Sequence, residues 1–187
     1  MKANILKSTY SNRGMQLEDD INATNKYYLD NDIAVIYKKP TAITIHKAEY
    51  PNHNAIIKEA YFKTPSTTDY NGVYKGYYID FEAKETLSKT SFPLSNIHTH
   101  QIEHLKRIVK HGGIGFVIVR FKAYNETYLL FADNLIAYLN NNDRKSIPYE
   151  YFKEKAYLIN LKYAPRLNYL EIIDKYGGIY EKNNKED

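Results

Sequence analysis

The chain has 187 residues, a formal net charge of +4, no cysteine, 20 tyrosines and 43% hydrophobic residues. That length suits one domain with a sizeable core, and the absence of cysteine excludes disulfides, thiolate zinc sites and a cysteine nucleophile. No apolar run approaches the roughly 20 residues of a membrane helix. The opening MKANILKSTYSNRG lacks an apolar signal segment, so a cytoplasmic protein with no membrane partner is expected. The positive charge leans toward a polyanionic partner. The abundance of Lys, Tyr and Asn reads first as a codon-composition bias, although some tyrosines could stack on bases.

In chain order, SNRGMQLEDDINATNKYYLDNDI predicts a helix capped by Ser11 or Asn12, with Met15, Ile21 and Tyr28 as its apolar stripe and Leu17 beside it. IAVIYKK is a short strand stopped before Pro40. TAITIHKAEY and AIIKEAYFK, separated by PNHN, predict a β-hairpin over about 41–63 with its tip near Asn52. GYYIDFEAKE is the next strand. Pro93 closes a polar loop, and SNIHTHQIEHLKRIVKHGG predicts a helix capped by Ser95 and stopped at Gly112. IGFVIVRF has the continuous apolar character of a central strand, and ETYLLF pairs beside it. A short helix over 132–138, a loop at NNNDRKSIP and two terminal helical pieces follow. A single domain over 1–178 and a disordered tail over 179–187 are expected. The order of elements predicts an α/β domain with a mixed sheet.

GYYIDFEAKE carries the chemistry. Residues two apart on a strand share a face, so Asp80, Glu82 and Lys84 point one way while Ile79, Phe81 and Ala83 point to a core. With Asp69 upstream the pattern is D-x12-E-x-K. Carboxylates suit a hard cation such as Mg²⁺, and a neighbouring lysine can stabilise charge that develops on a phosphoryl group. An E-x-K triplet alone is weak: 12 Glu and 21 Lys in 187 residues give about one by chance, and there is one. Asp143-Arg144-Lys145 is a second acid-x-Lys run, but it sits in a polar loop with no strand to aim it. The bland alternative for Glu82 and Lys84 is a solvated strand face with an ordinary ion pair. HTHQIEHL places His100 and His104 at i,i+4, yet Gln101 stands where a zincin has glutamate. These histidines are expected on a solvated or DNA-facing surface.

Taken in order, NRGMQLEDDIN, STTDYNGVYKGYYIDFEAKET, KTSFPLSNIHTHQIEHL, GGIGFVIVRF, YLLF, RKSIP and PRLNYLEIID resemble the RecU family of Holliday junction resolvases over about residues 12–174. The resemblance implies a restriction-nuclease-like mixed central sheet flanked by helices, with the hairpin as a projecting stalk. It implies a homodimeric hydrolase that cuts four-way junction DNA symmetrically with Mg²⁺, for which Mn²⁺ substitutes, leaving a 5′-phosphate and a 3′-hydroxyl in DNA recombination and repair. Recombinase and branch-migration proteins are further implied partners. By the same resemblance, Asp69 and Glu82 are metal carboxylates, Thr67 and Gln101 belong to the metal site through oxygen or bound water, and Lys84 stabilises the transition state. The general fold motif often has proline directly before its aspartate; here that neighbour is Thr68, and the nearest proline is Pro65.

DNA contacts are expected from Arg13 in NRGM, with fixing of the first helix as the alternative, from Lys47, Lys58 and Lys63 on the hairpin, with an ordinary hairpin packed on its own sheet as the alternative, and from Arg144, Lys145 and Arg166, with solvated or salt-bridged roles as the alternative. The hairpin tip PNHN has no Lys or Arg. Glu18 either approaches the metal site or decorates a helix surface. Two rival functions remain: a duplex-cutting nuclease of the same fold, and a non-catalytic junction-binding or recombinase-regulating protein.

Overall fold

A computed structural model describes residues 15–51, 54–62 and 67–177. Helix α1 spans Met15–Asp30 and strand β1 Val35–Lys38. The hairpin is β2 (Ile43–Glu49) and β3 (Ile56–Phe62), followed by β4 (Tyr70–Tyr74), β5 (Tyr77–Thr86) and β6 (Ser91–Pro93). Helix α2 (Thr99–Lys110), strands β7 (Ile114–Phe121) and β8 (Glu126–Phe131), and helix α3 (Ala132–Asn141) come next. Strand β9 (Ser146–Pro148), helix α4 (Tyr149–Lys155), strand β10 (Tyr157–Leu158) and helix α5 (Tyr169–Tyr176) complete the series.

Six strands form the main sheet in the order β1-β4-β5-β7-β8-β10. Only β5 and β7 run parallel; the other four pairs are antiparallel. A parallel pair needs a long crossover, and α2 lies within it. The architecture is the α/β one expected, a mixed central sheet flanked by helices.

Alternation on the strands sorts the core into two layers. Phe81 on β5 and Phe116 on β7 stack at 4.7 Å between ring centroids. They pack with Leu17, Ile21 and Tyr28 of α1 and with Tyr169, Leu170 and Ile173 of α5. On the opposite face Val117, Val119 and Phe121 meet Leu105 of α2, Leu135 and Tyr138 of α3 and Phe152 of α4. Burying each such side chain contributes about 1.5–3 kcal/mol. Every residue of β7 is buried, as its apolar run predicts.

Several local expectations are revised. The stripe of α1 is Leu17, Ile21, Thr24 and Tyr28, a spacing of i, i+4, i+7 and i+11; the Met15 side chain and the caps at Ser11 and Asn12 lie outside the described residues, as do the hairpin tip at Asn52 and the tail over 179–187. Ser95 does not cap α2: residues 94–96 form a separate 3₁₀ turn, and the N-cap is His98. Gly112 does end the helix, with φ +82°, a left-handed conformation that glycine adopts freely. Part of the expected loop NNNDRKSIP is strand β9, paired with β6. Strand β4 has no counterpart in the sequence reading. Its signal is the two-residue turn Lys75-Gly76, with φ +48° and +80°, the positive-φ pair that matches hairpin twist.

The hairpin stands apart from both layers. Both its strands are exposed on both faces, Ala48 alone being half-buried.

Candidate active site

The register of β4 against β5 explains the D-x12-E spacing. Tyr70 pairs with Phe81 and Tyr74 with Tyr77, so the chain doubles back and brings Asp69, just before β4, beside Glu82. The Asp69 N–H donates to Glu82 Oε2 at 3.1 Å. Lys84, on the same face, places Nζ 2.5 Å from Glu82 Oε1.

Glu82 is fully buried, whereas the Lys84 side chain is 24% exposed. A buried carboxylate disfavours its charged form. Burial is the main cause that pushes Glu82 up to about 8; the adjacent Asp69 carboxylate adds to it, and Lys84 opposes both. The two Glu82 oxygens differ. Oε2 accepts from Asp69 and from Gln101 Nε2 at 2.7 Å. Oε1 faces the Lys84 ammonium at 2.5 Å, so the two oxygens are held by different partners.

Gln101 is buried in α2, one turn before Leu105 on the same stripe. Its side-chain oxygen accepts the His98 N–H at 2.9 Å while its amide nitrogen donates to Glu82. A donor on one side and a carboxylate on the other fix the amide orientation. Without a metal, Gln101 therefore orients Glu82 and caps its own helix, and its oxygen is committed to that cap. Thr67 is half-buried, two residues before Asp69, with its hydroxyl toward the Thr68 carbonyl at 3.4 Å.

A cleft of about 440 Å³ opens over this group, walled by Leu17, Glu18, Asp69, Lys84, Asn96 and Lys122. Glu18 is thus part of the cleft wall, ion-paired with Lys38. Lys122, to which the sequence pattern assigns no role, pairs with Glu85 at 2.9 Å. Its signal was position: it follows β7 directly, and Phe121 pairs with Thr86.

The remaining basic residues are scattered. Arg144 and Lys145 are exposed, and the Lys145 carbonyl accepts the Leu94 N–H at 3.0 Å, beside the turn that supplies Asn96. Arg166 pairs with Asp20 at 3.0 Å, the salt-bridged alternative. Asp20 also holds the buried Arg120 at 2.7 Å. Lys58 pairs with Glu49 at 3.2 Å, and Lys47 lies opposite Glu59. Arg13 and Lys63 lie outside the described residues. Of the histidines, His98 is exposed at the N-cap of α2, as expected, whereas His104 departs from the expected surface and turns inward, with Nε2 3.1 Å from Asp80. Among the described residues, no three His, Cys, Asp or Glu side chains cluster as a metal site. The cation candidate is the Asp69–Glu82 pair, whose one or two carboxylates with water suit Mg²⁺.

The chain matches the family described as RecU: Recombination protein U over residues 12–175. It belongs to the RecU family. Similar members include the Holliday junction resolvase RecU of Bacillus thuringiensis (strain Al Hakam), 55% identical over 177 residues, covering 92% of this chain and 88% of that one. The Holliday junction resolvase RecU of Bacillus cytotoxicus is 54% identical over the same shares. The RecU match includes every site residue described above. In shape the chain is distantly similar to Archaeoglobus fulgidus Hjc, a Holliday junction resolvase, with a TM-score of 0.45 and 10% identity over 75% of this chain and 93% of that one.

Proposed function

We propose that this chain is a Mg²⁺-dependent, structure-selective endonuclease that acts as a homodimer and resolves Holliday junctions in DNA recombination and repair, with Mn²⁺ able to replace Mg²⁺. The observation that carries this reading is the meeting of Asp69 and Lys84, which line one cleft, with the buried Glu82 between them, in a chain 55% identical to a protein named as a Holliday junction resolvase.

Asp69 and Glu82 would hold the metal ion, with Thr67 at the edge of the set and Gln101 fixing Glu82. A bound Mg²⁺ supplies Lewis acidity toward a phosphoryl oxygen and acidifies a bound water. Lys84 presents its ammonium at the partly open end of the ion pair, where a scissile phosphate can reach it. The group is preorganised by burial and by the β5 backbone, so it stabilises developing charge without moving first. Exposed lysines and Arg144 supply sequence-independent phosphate contacts. Two such sites, one per subunit, would nick strands of like polarity.

The test is cleavage of an immobile four-way junction and of its separate linear arms, with Mg²⁺ or chelator, by wild type and by Glu82→Gln. Junction-selective, Mg²⁺-dependent cutting that Glu82→Gln abolishes is expected. Equal cutting of arms and junction would favour a duplex nuclease, and binding without cutting would favour a non-catalytic role.

A further inference from the structure

Asp80 shares the strand face of Glu82 and Lys84 and is fully buried, yet nothing in the chemistry above uses it. Four side chains converge on its carboxylate. The Thr68 hydroxyl donates to Oδ1. Oδ2 receives Lys39 Nζ at 2.7 Å, the Tyr78 hydroxyl at 3.0 Å and His104 Nε2 at 3.1 Å. Lys39 also donates to the Thr68 hydroxyl at 2.9 Å. A buried carboxylate is tolerated only when its charge is paired and its lone pairs are satisfied, and a network satisfied in this way is rigid.

Its partners come from separate parts of the chain. Lys39 lies between β1 and β2, on the leg that leads into the hairpin. Thr68 lies between β3 and β4, on the leg that leads out. His104 lies on α2, three residues after Gln101. The ties then continue into the site. The Lys39 N–H donates to the Asp69 carbonyl at 2.7 Å, and the Asp69 N–H donates to Glu82 Oε2 at 3.1 Å. The Asp69 main chain is therefore held on both sides, and its preceding residue is held by Asp80.

We propose that Asp80 is a positioning residue for cleavage: its buried carboxylate fastens both legs of the hairpin to strand β5 and thereby sets where the Asp69 carboxylate stands against Glu82. Lys39, Thr68 and the carboxylate pair are then held together, so a pull on either residue does not draw Asp69 out of register. This inference rests on the nuclease reading above.

Asp80→Asn keeps the shape of the side chain and removes the charge that Lys39 answers. In metal-free protein, the Lys39 and Asp69 amides should then exchange hydrogen at least about tenfold faster while Val117 and Ile118 in β7 stay unchanged. Single-turnover junction cleavage at saturating Mg²⁺ should fall at least about 30-fold, since small misplacements cost that much, with junction Kd held within about threefold. Thr68→Val should give a smaller change of the same kind, and it decides the question if Asp80→Asn does not fold. The proposal is overturned if Asp69 exchange and the cleavage rate both stay within about threefold of wild type. It is also overturned if β7 amides accelerate as much as Asp69, which would mark a general loss of packing. Wild type that fails to cut junctions would defeat the nuclease reading alone, because the exchange measurement reports on the ties without any cleavage.

Discussion

Two lysine–glutamate pairs sit on two alternating strand regions of this molecule, and they differ in almost every physical respect. On the hairpin, Lys58 meets Glu49 at 3.2 Å with both side chains about half exposed. On β5, Lys84 meets Glu82 at 2.5 Å with the carboxylate wholly buried. Exposed pairs are worth roughly 0–1 kcal/mol and are screened by salt. A buried carboxylate is costly to desolvate, and burial pushes Glu82 up to about 8 in spite of its lysine. Solvent therefore makes the hairpin pair dispensable to the fold, while burial makes the β5 pair a poor stabiliser and a strong electrostatic centre. Perturbed groups of the second kind mark functional sites.

The contrast breaks most visibly at the carboxylates. Glu82→Gln and Asp69→Asn should each reduce junction cleavage on the order of 1000-fold or more, because a lost ligand forfeits several kcal/mol of charge stabilisation. Gel-shift affinity for the junction should remain, since it rests on phosphate contacts. Near wild-type cutting by either variant would remove the residue from the site.

Lys84→Ala comes next. As half of an ordinary ion pair it would only shift the melting temperature slightly. As a preorganised cation its loss should slow single-turnover cleavage roughly 100- to 1000-fold, with poor rescue by Lys84→Arg, whose planar fork does not replace a compact ammonium. A loss under about tenfold, with folding and binding intact, would make the two pairs alike after all.

A smaller effect is expected on the hairpin. Lys47→Ala and Lys58→Ala should leave thermal stability within about 0.5 kcal/mol and cleavage chemistry unchanged. Each should weaken junction binding and lower the salt-dependence slope by about one if that lysine meets a phosphate. Titration of affinity against salt checks this.

A pH trend in metal-free protein tests the burial itself. The folded pKa of Glu82 is raised from its ordinary 4.5 to about 8, so between those values the folded state holds the extra proton and this group's contribution to stability falls as pH rises. Glu82→Gln cannot ionise. Melting curves in chelator should show the variant gaining on wild type from pH 5 to pH 8; parallel curves would contradict the burial argument.

Much of the site was legible because strand parity and register are simple. Period-two alternation separated Glu82 and Lys84 from Phe81, and the D-x12-E spacing is what a two-residue turn at Lys75-Gly76 requires. The α/β order was legible because β7 is apolar throughout. Gln101 was invisible to pattern alone, since a polar residue on an amphipathic helix reads as surface until the carboxylate it faces is placed in space. Asp80 was set on the correct face, but its partners lie from two to 41 residues away in sequence, and no local signal links them. The Ser95 cap failed for a local reason: Pro93 and the 3₁₀ turn delay α2 until His98, where Gln101 can return its oxygen to the backbone.

The lone parallel pairing carries a consequence for biosynthesis. Asp69, Glu82 and Lys84 are all translated by residue 84, but β5 gains its parallel neighbour only when Ile114–Phe121 has been made. Parallel pairing across such a separation forms slowly, since the loop must close before the contacts reward it. A nascent chain that ends near residue 90 thus carries every acid and the lysine of the cleft without the strand that buries Glu82 or the helix that orients it. The site should therefore be assembled only after α2 and β7 have been made.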